Sequence, residues 1–398
     1  MRSYRITSVW GIPIKINISL ILFLPILAWL IGSGQQIPLY AGIINGLSGS
    51  TLDVTVLQQG LTPWLIGATA AIGLFVSVTI HELGHSWVAL RYGLTIESIT
   101  LWIFGGVASM ASIPREWNRE FWIAIAGPVT SVLIGVVCAI LLQLIPASLP
   151  TVLFVVGWLA VVNVTLAIFN LVPAFPMDGG RVFRALLART RPYGQATRIA
   201  ARVGVIFALL FAVIGVLSFN VILLLVALFI YGAATSESRT TALEDLLAGL
   251  TVTDVMTRDP HTIPATSTVA EFVDQMLVDR RTEYGVTNEM GATVGIVSLQ
   301  HLKDVDERNR ETTLIADMMT DEPLTVQATA SAFDTLVALS TTKTSYALVE
   351  ENGSVVGMLS QADYSRALEL RRGIGPAGER GQSPPTAETS DRSVSGRL

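Results

Sequence analysis

This chain of 398 residues has very little charge, almost no cysteine, and hardly any acidic groups in its first half. Each shortage excludes something. The single cysteine, Cys138, has no partner for an internal disulfide, and a CxxC-type thiolate zinc site is ruled out by counting. Lying in an apolar run, it reads as a small buried hydrophobe. Charged residues make up 14% of the chain and hydrophobic ones 51%, against about 25% charged in ordinary soluble domains. Through residue 231 the only acids are Asp53, Glu82, Glu97, Glu116, Glu120 and Asp178, and all the others follow. A membrane half followed by a soluble half is expected. The net charge of −5, without a clustered basic face, gives nucleic acid no footing.

Against that background six apolar stretches stand out, at 16–31 (with Pro25 as a kink), 63–90, 121–144, 151–172, 203–217 and 221–234. A crossing needs about 20 residues, and the last two are short, paired around Ser218, Phe219 and Asn220. Arg2 and Arg5 precede the first stretch without a small-residue cleavage pattern, so a retained span is expected rather than a signal peptide. Arginines gather before spans one and three, after span two, and between four and five, whereas loops 32–62 and 145–150 contain no Lys or Arg. By the positive-inside rule both termini face the cytosol of a multi-pass plasma-membrane protein. Between the second and third spans, the alternation of SITLWIFGGVASM and its pair Gly105 and Gly106 predict short strands with a turn.

The second stretch contains the residues least suited to hydrocarbon, in IHELGHSWVAL. An ionisable group at membrane depth costs at least about 2.5–3.5 kcal/mol and implies function by default. On a helix His81 and His85 project from one face, at a spacing suited to sharing one Zn²⁺. Glu82, one residue on, suits a general base acting on a bound water. Among candidates for a third ligand, His261 and His301 lie in the soluble half, leaving Asp178 as the only other acid in or beside a span. It follows Pro173 and Pro176, and Gly179 and Gly180 are expected to give an irregular backbone that aims its carboxylate inward. His85 lies about 9 Å from Arg91 along a helix, and Asp178 stands three residues before Arg181. Both thus fall near the same membrane face.

From residue 236 the chain reads as soluble and duplicated. TVTDVMTRDPHTIPATSTVAEFVDQML is matched by LIADMMTDEPLTVQATASAFDTLVALS, and VGIVSLQHL by VGMLSQADY. Each unit reads strand, helix, strand, turn, strand, helix, with Asn352 and Gly353 as the second hairpin turn. The Gly-, Pro- and Ser-rich tail is expected to be disordered.

Taken together, HELGH, the GGVA segment, AGP at residues 126–128 and the N-x-x-P-x-x-x-x-DG pattern from Asn170 to Gly179 resemble the site-2 protease family of intramembrane zinc metalloproteases. The duplicated segment resembles a pair of CBS domains. The resemblance implies a polytopic α-helical membrane domain, about six transmembrane helices with a short membrane-associated β segment, followed by an α+β CBS pair. Domains are expected at 1–235 (protease), 250–306 (first CBS), 313–370 (second CBS) and 371–398 (disordered tail). It further implies one zinc per chain on His81, His85 and Asp178, Glu82 as catalytic acid/base, and Asn170 as a catalytic residue that positions substrate or steadies an oxyanion. The substrate would be a single-span protein in the bilayer, such as an anti-sigma factor or similar regulator, paired as an extended segment with the strand edge at Gly105 and Gly106. An adenine nucleotide is implied at Ser360 and Asp363. In the first repeat Ser298 is followed by His301 instead of Asp, which departs from that pattern. The CBS pair also offers a route to a homodimer. The rival reading is a CBS-regulated metal transporter or channel. Such a protein should spread polar residues over several spans, whereas here they converge near one point.

Overall fold

The computed structural model describes residues 3–33, 36–49, 51–103, 105–110, 114–258, 260–342 and 344–374. The chain divides into two compact units, Met1–Thr241 and Ala242–Leu398.

The first unit begins with a hairpin, β1 (Ser3–Val9) and β2 (Ile12–Asn17). Trp10 and Gly11 make its turn, both at positive φ. The alternation of Ile12 and Ile14 turns these two side chains into the core. Asn17 then caps α1 (Ile18–Gly32), its side chain accepting the Ser19 N–H at 3.0 Å. There follow α2 (Gln36–Ser48), the single turn α3 (Val54–Leu57) and the long α4 (Thr62–Arg91). After α4 come β3 (Ile96–Trp102) and β4 (Gly105–Met110). The expected strands are present, but they belong to a larger sheet, ordered β1-β2-β3-β4, in which β2 and β3 run parallel. The unit continues with α5 (Trp117–Leu142), α6 (Pro150–Asn170), α7 (Asp178–Ala188), α8 (Tyr193–Leu217) and α9 (Val221–Leu247), whose last residues, from Ala242, belong to the second unit.

Among the described residues, α4, α5, α6, α8 and α9 are long and apolar enough to cross a membrane. The pair α1 and α2, bent by 70°, passes the same test only jointly, giving up to six spans. Side chains such as Ile206, Leu209, Ile222 and Leu228 are more than half exposed, which suits a surface solvated by lipid. The last two helices are longer than their apolar cores, because polar turns extend α8 before residue 203 and α9 beyond residue 234.

The second unit opens with α10 (Val252–Val255) and β5 (Thr257–Arg258), followed by β6 (Thr262–Pro264), α11 (Val269–Asp279), β7 (Glu283–Thr287) and β8 (Thr293–Ser298). The second repeat supplies β9 (Leu324–Gln327), α12 (Ala332–Thr342), β10 (Tyr346–Glu351), β11 (Ser354–Ser360) and α13 (Gln361–Ile374). The repeats exchange their leading segments. Strand β5, from the first, pairs with β11 of the second, and Thr320 of the second bridges Ile296 of the first. Asn352 and Gly353 form the expected two-residue turn, with φ of 52° and 81°.

Two expectations need correction here. The closing helix of the first repeat is only a 3₁₀ turn, His301–Asp304, because Val305 is already extended. Asp304, Val305 and Asp306 are weak helix formers. The expected tail from residue 371 overlaps α13, which runs to Ile374; residues 375–398 lie outside the described residues.

Candidate metal centre

The centre is built where α4 and α5 pack face to face with α7 ending against them. His81 and His85, one turn apart on α4, are 4% exposed each, and Asp178 is the first residue of α7. The Nε2 atoms of His81 and His85 lie 3.2 Å apart, and each is 3.2 Å from Asp178 Oδ2. These three form the one group of metal-ligating side chains found among the described residues.

The donor set fits a zinc ion. Bonds of about 2.0–2.1 Å in a tetrahedron put neighbouring ligand atoms about 3.3–3.4 Å apart, close to the observed triangle. The far sides of both rings are also held. His85 Nδ1 donates to the Ile123 carbonyl at 2.6 Å, so the single proton of a neutral ring sits there and Nε2 is a bare acceptor. His81 Nδ1 lies 2.8 Å from Ser131 Oγ. Two acceptor nitrogens and a carboxylate oxygen converging in a buried site repel one another unless a cation or proton lies between them.

Helix α5 provides the floor. A Cβ added to Gly127 would fall 2.2 Å from His85 Nε2 and 2.5 Å from His81 Nε2, so only hydrogen is tolerated there. Ile123, Gly127 and Ser131 recur every four residues and face the antiparallel α4 turn by turn.

Helix α7 corrects the expectation about Asp178. Gly179 and Gly180 are not irregular; they lie in the first turn of a regular helix, buried. What they permit is contact. A Cβ on Gly179 would stand 2.3 Å from the Leu171 carbonyl oxygen, and one on Gly180 would stand 2.7 Å from the carbonyl carbon of Ala174. Close approach of α7 to the end of α6 brings Asp178 to the histidines.

Asp178 is also not the only other acid in a span. Helix α5 starts earlier than the apolar run, and Glu120 in its first turn is 2% exposed. Arg184 of α7, expected in a cytosolic loop, is 1% exposed. Its Nε donates to Glu120 Oε1 at 2.7 Å, its Nη1 donates to Glu237 of α9, and its guanidinium lies over the Phe175 and Tyr193 rings. Arg184 balances the buried Glu120 carboxylate, and the second carboxylate of the triad, Glu237, is 35% exposed and keeps contact with solvent.

Glu82 is half-buried beside His81, with no hydrogen bond to another described residue. The start of β4 lies against it, since a Cβ on Gly106 would come within 2.3 Å of Glu82 Cγ. Gly105, at φ 128°, precedes it. Strand β4 is the last strand of the sheet and pairs with β3 alone among the described strands. Asn170 is the last residue of α6, half-buried, and its side chain makes no hydrogen bond to another described residue.

In the second unit Asp363 is 5% exposed and engaged. Oδ2 accepts the Ser360 N–H and hydroxyl, both at 2.8 Å. Oδ1 accepts the Thr257 hydroxyl at 2.8 Å and Arg366 Nη1 at 3.3 Å. His301 stands in the equivalent place. Its Nδ1 accepts the Ser298 N–H at 3.0 Å and its Nε2 meets Thr320 Oγ at 3.1 Å.

A metal triad buried in an apolar helical bundle, with a glutamate beside it, defines a membrane-embedded metallohydrolase. The sequence profile of peptidase family M50 matches residues 69–154 and 143–211, and that of the CBS domain matches 252–307 and 315–370. A zinc metalloprotease of Methanocaldococcus jannaschii is 35% identical over 92% of this chain and 96% of its own length. Rip3 of Mycobacterium tuberculosis is 36% identical over 82% of this chain and 86% of its own. A solved structure of a site-2 protease from M. jannaschii is 40% identical, covering 60% of this chain and 95% of that one, with a TM-score of 0.41. The chain belongs to peptidase family M50; it is a zinc metalloprotease of the site-2 protease type with two CBS domains.

Proposed function

We propose that this protease cuts single-span membrane proteins within or beside their transmembrane segment, the cleaved segment lying extended along β4. The observation that carries the reading is Glu82 placed beside the two histidines of the ligand triangle on α4 and against the backbone of β4 at Gly106. Zinc, when bound, would be held by His81, His85 and Asp178 and would supply Lewis acidity at the scissile carbonyl and lower the pKa of a water. The Glu82 carboxylate is placed to take a proton from the attacking water and to return it to the departing amine nitrogen. The free N–H and C=O groups of β4 hold the substrate backbone extended by strand addition, which a helix cannot accept. Asn170, eight residues before Asp178, is assigned substrate positioning by the family resemblance. Arginines on one side of the spans support cytosolic termini. A regulator such as an anti-sigma factor is the kind of substrate implied.

The same reading extends to the CBS pair. A carboxylate has about four acceptor positions, and at Asp363 the weakest is filled by Arg366, whose side chain is 67% exposed. A ribose hydroxyl can replace Arg366 there, whereas His301 has no acceptor to spare. Leu277 and Val278 on α11, 73% and 81% exposed, offer apolar surface for a homodimer through this unit.

The test is to incubate the purified protein in proteoliposomes with a panel of single-span substrates and map the cuts by mass spectrometry. Cuts in or flanking the span are expected, abolished by a chelator and restored by zinc. Cleavage confined to soluble loops would contradict the reading.

A further inference from the structure

Among the described residues, Ser131 is the one hydrogen-bond partner of the His81 Nδ1 atom. It is 0% exposed on α5, and its hydroxyl lies 2.8 Å from His81 Nδ1. The two histidines are held by different chemistry. The Ile123 carbonyl can only accept, which fixes the proton of His85 on Nδ1 whether or not metal is present. A hydroxyl can donate or accept, so Ser131 suits either tautomer of His81.

That difference matters when Nε2 becomes a ligand. The one proton of a neutral His81 must then sit on Nδ1, and Ser131 Oγ is its acceptor. Without the hydroxyl, this N–H would be buried with no partner, a costly state. In the metal-free protein the cost is smaller, because the proton can move to Nε2 and face Asp178 Oδ2 at 3.2 Å, which leaves Nδ1 a bare acceptor and not an unpaired donor. The penalty of losing Ser131 therefore falls mainly on the zinc-loaded state. Resting on the zinc reading above, we infer that Ser131 is a positioning residue that raises zinc affinity by accepting the His81 Nδ1–H.

The experiment measures zinc affinity of the purified full chain by competition with a chromophoric chelator, and Tm of the zinc-free protein. Ser131→Ala should weaken zinc binding by about 10- to 100-fold, the usual effect of removing such a partner, with the zinc-free Tm close to wild type. Thr130→Ala is the control, because the Thr130 hydroxyl is spent on the Ala126 carbonyl at 2.8 Å; its zinc affinity should match wild type. Wild-type affinity in Ser131→Ala overturns the inference, as does a zinc-free Tm that falls in step with affinity, which would mark a packing role. A wild-type protein that binds no zinc would instead sink the underlying reading, and a His85→Ala variant, expected to lose zinc altogether, separates the two failures.

Discussion

The backbone of Gly106 rests on the side chain of Glu82, so closely that a Cβ there would lie 2.3 Å from Cγ and 3.1 Å from Oε1. The strand offered to substrate and the acid/base thus share a contact. Gly106→Val must push the strand or the carboxylate aside while leaving the histidines alone. Zinc content should stay at wild-type level and turnover fall about 100-fold, as for a misplacement on the order of 1 Å. Unchanged turnover would detach β4 from the site.

Gly127 makes the complementary case. Its Cβ would intrude between the two Nε2 atoms, at 2.2 and 2.5 Å. Gly127→Ala should therefore lose zinc as well as activity, read by metal analysis of purified protein. Full metal retention would show that α5 yields more easily than its packing implies.

Much of this centre is legible from residue type alone. His81, Glu82 and His85 stand out because hydrocarbon makes each costly, and Asp178 because so few acids compete with it. What sequence could not show is depth of packing. Glu120 and Arg184 look like loop charges until folding pairs them, since the partners are 64 residues apart. Ser131 is one hydroxyl among many, and only the antiparallel register of α4 and α5 sets it on His81. The strand at Ile12 and Ile14 did carry a signal, the alternation IPIKIN after Trp10 and Gly11, masked by the apolar run that follows.

The Glu120–Arg184–Glu237 triad predicts a stability effect. Arg184→Ala leaves Glu120 buried without its counter-ion, at a cost of about 3–5 kcal/mol. The denaturation midpoint in detergent should drop sharply, and Glu120→Leu added to Arg184→Leu should recover much of the loss. A single variant as stable as wild type would mean the carboxylate finds water instead.

At the CBS pair, the occupied carboxylate predicts a ranking. Asp363→Ala should weaken ATP, ADP or AMP binding to the full chain, His301→Ala should change it little, and Arg366→Ala should leave it equal or tighter. Calorimetry reads all three. Weakened binding in His301→Ala with no effect in Asp363→Ala would move the nucleotide to the first repeat.

The central claim is that a carboxylate beside, and not within, the metal triangle performs the proton transfer of peptide hydrolysis. Glu82→Gln tests it most directly, with zinc content and cleavage of a reconstituted single-span substrate measured on the same sample. The variant should hold about one zinc per chain, as three ligands require, with cleavage lowered by at least about 100-fold, the range for a lost general base. A variant that keeps its zinc and still cuts at the wild-type rate would contradict it.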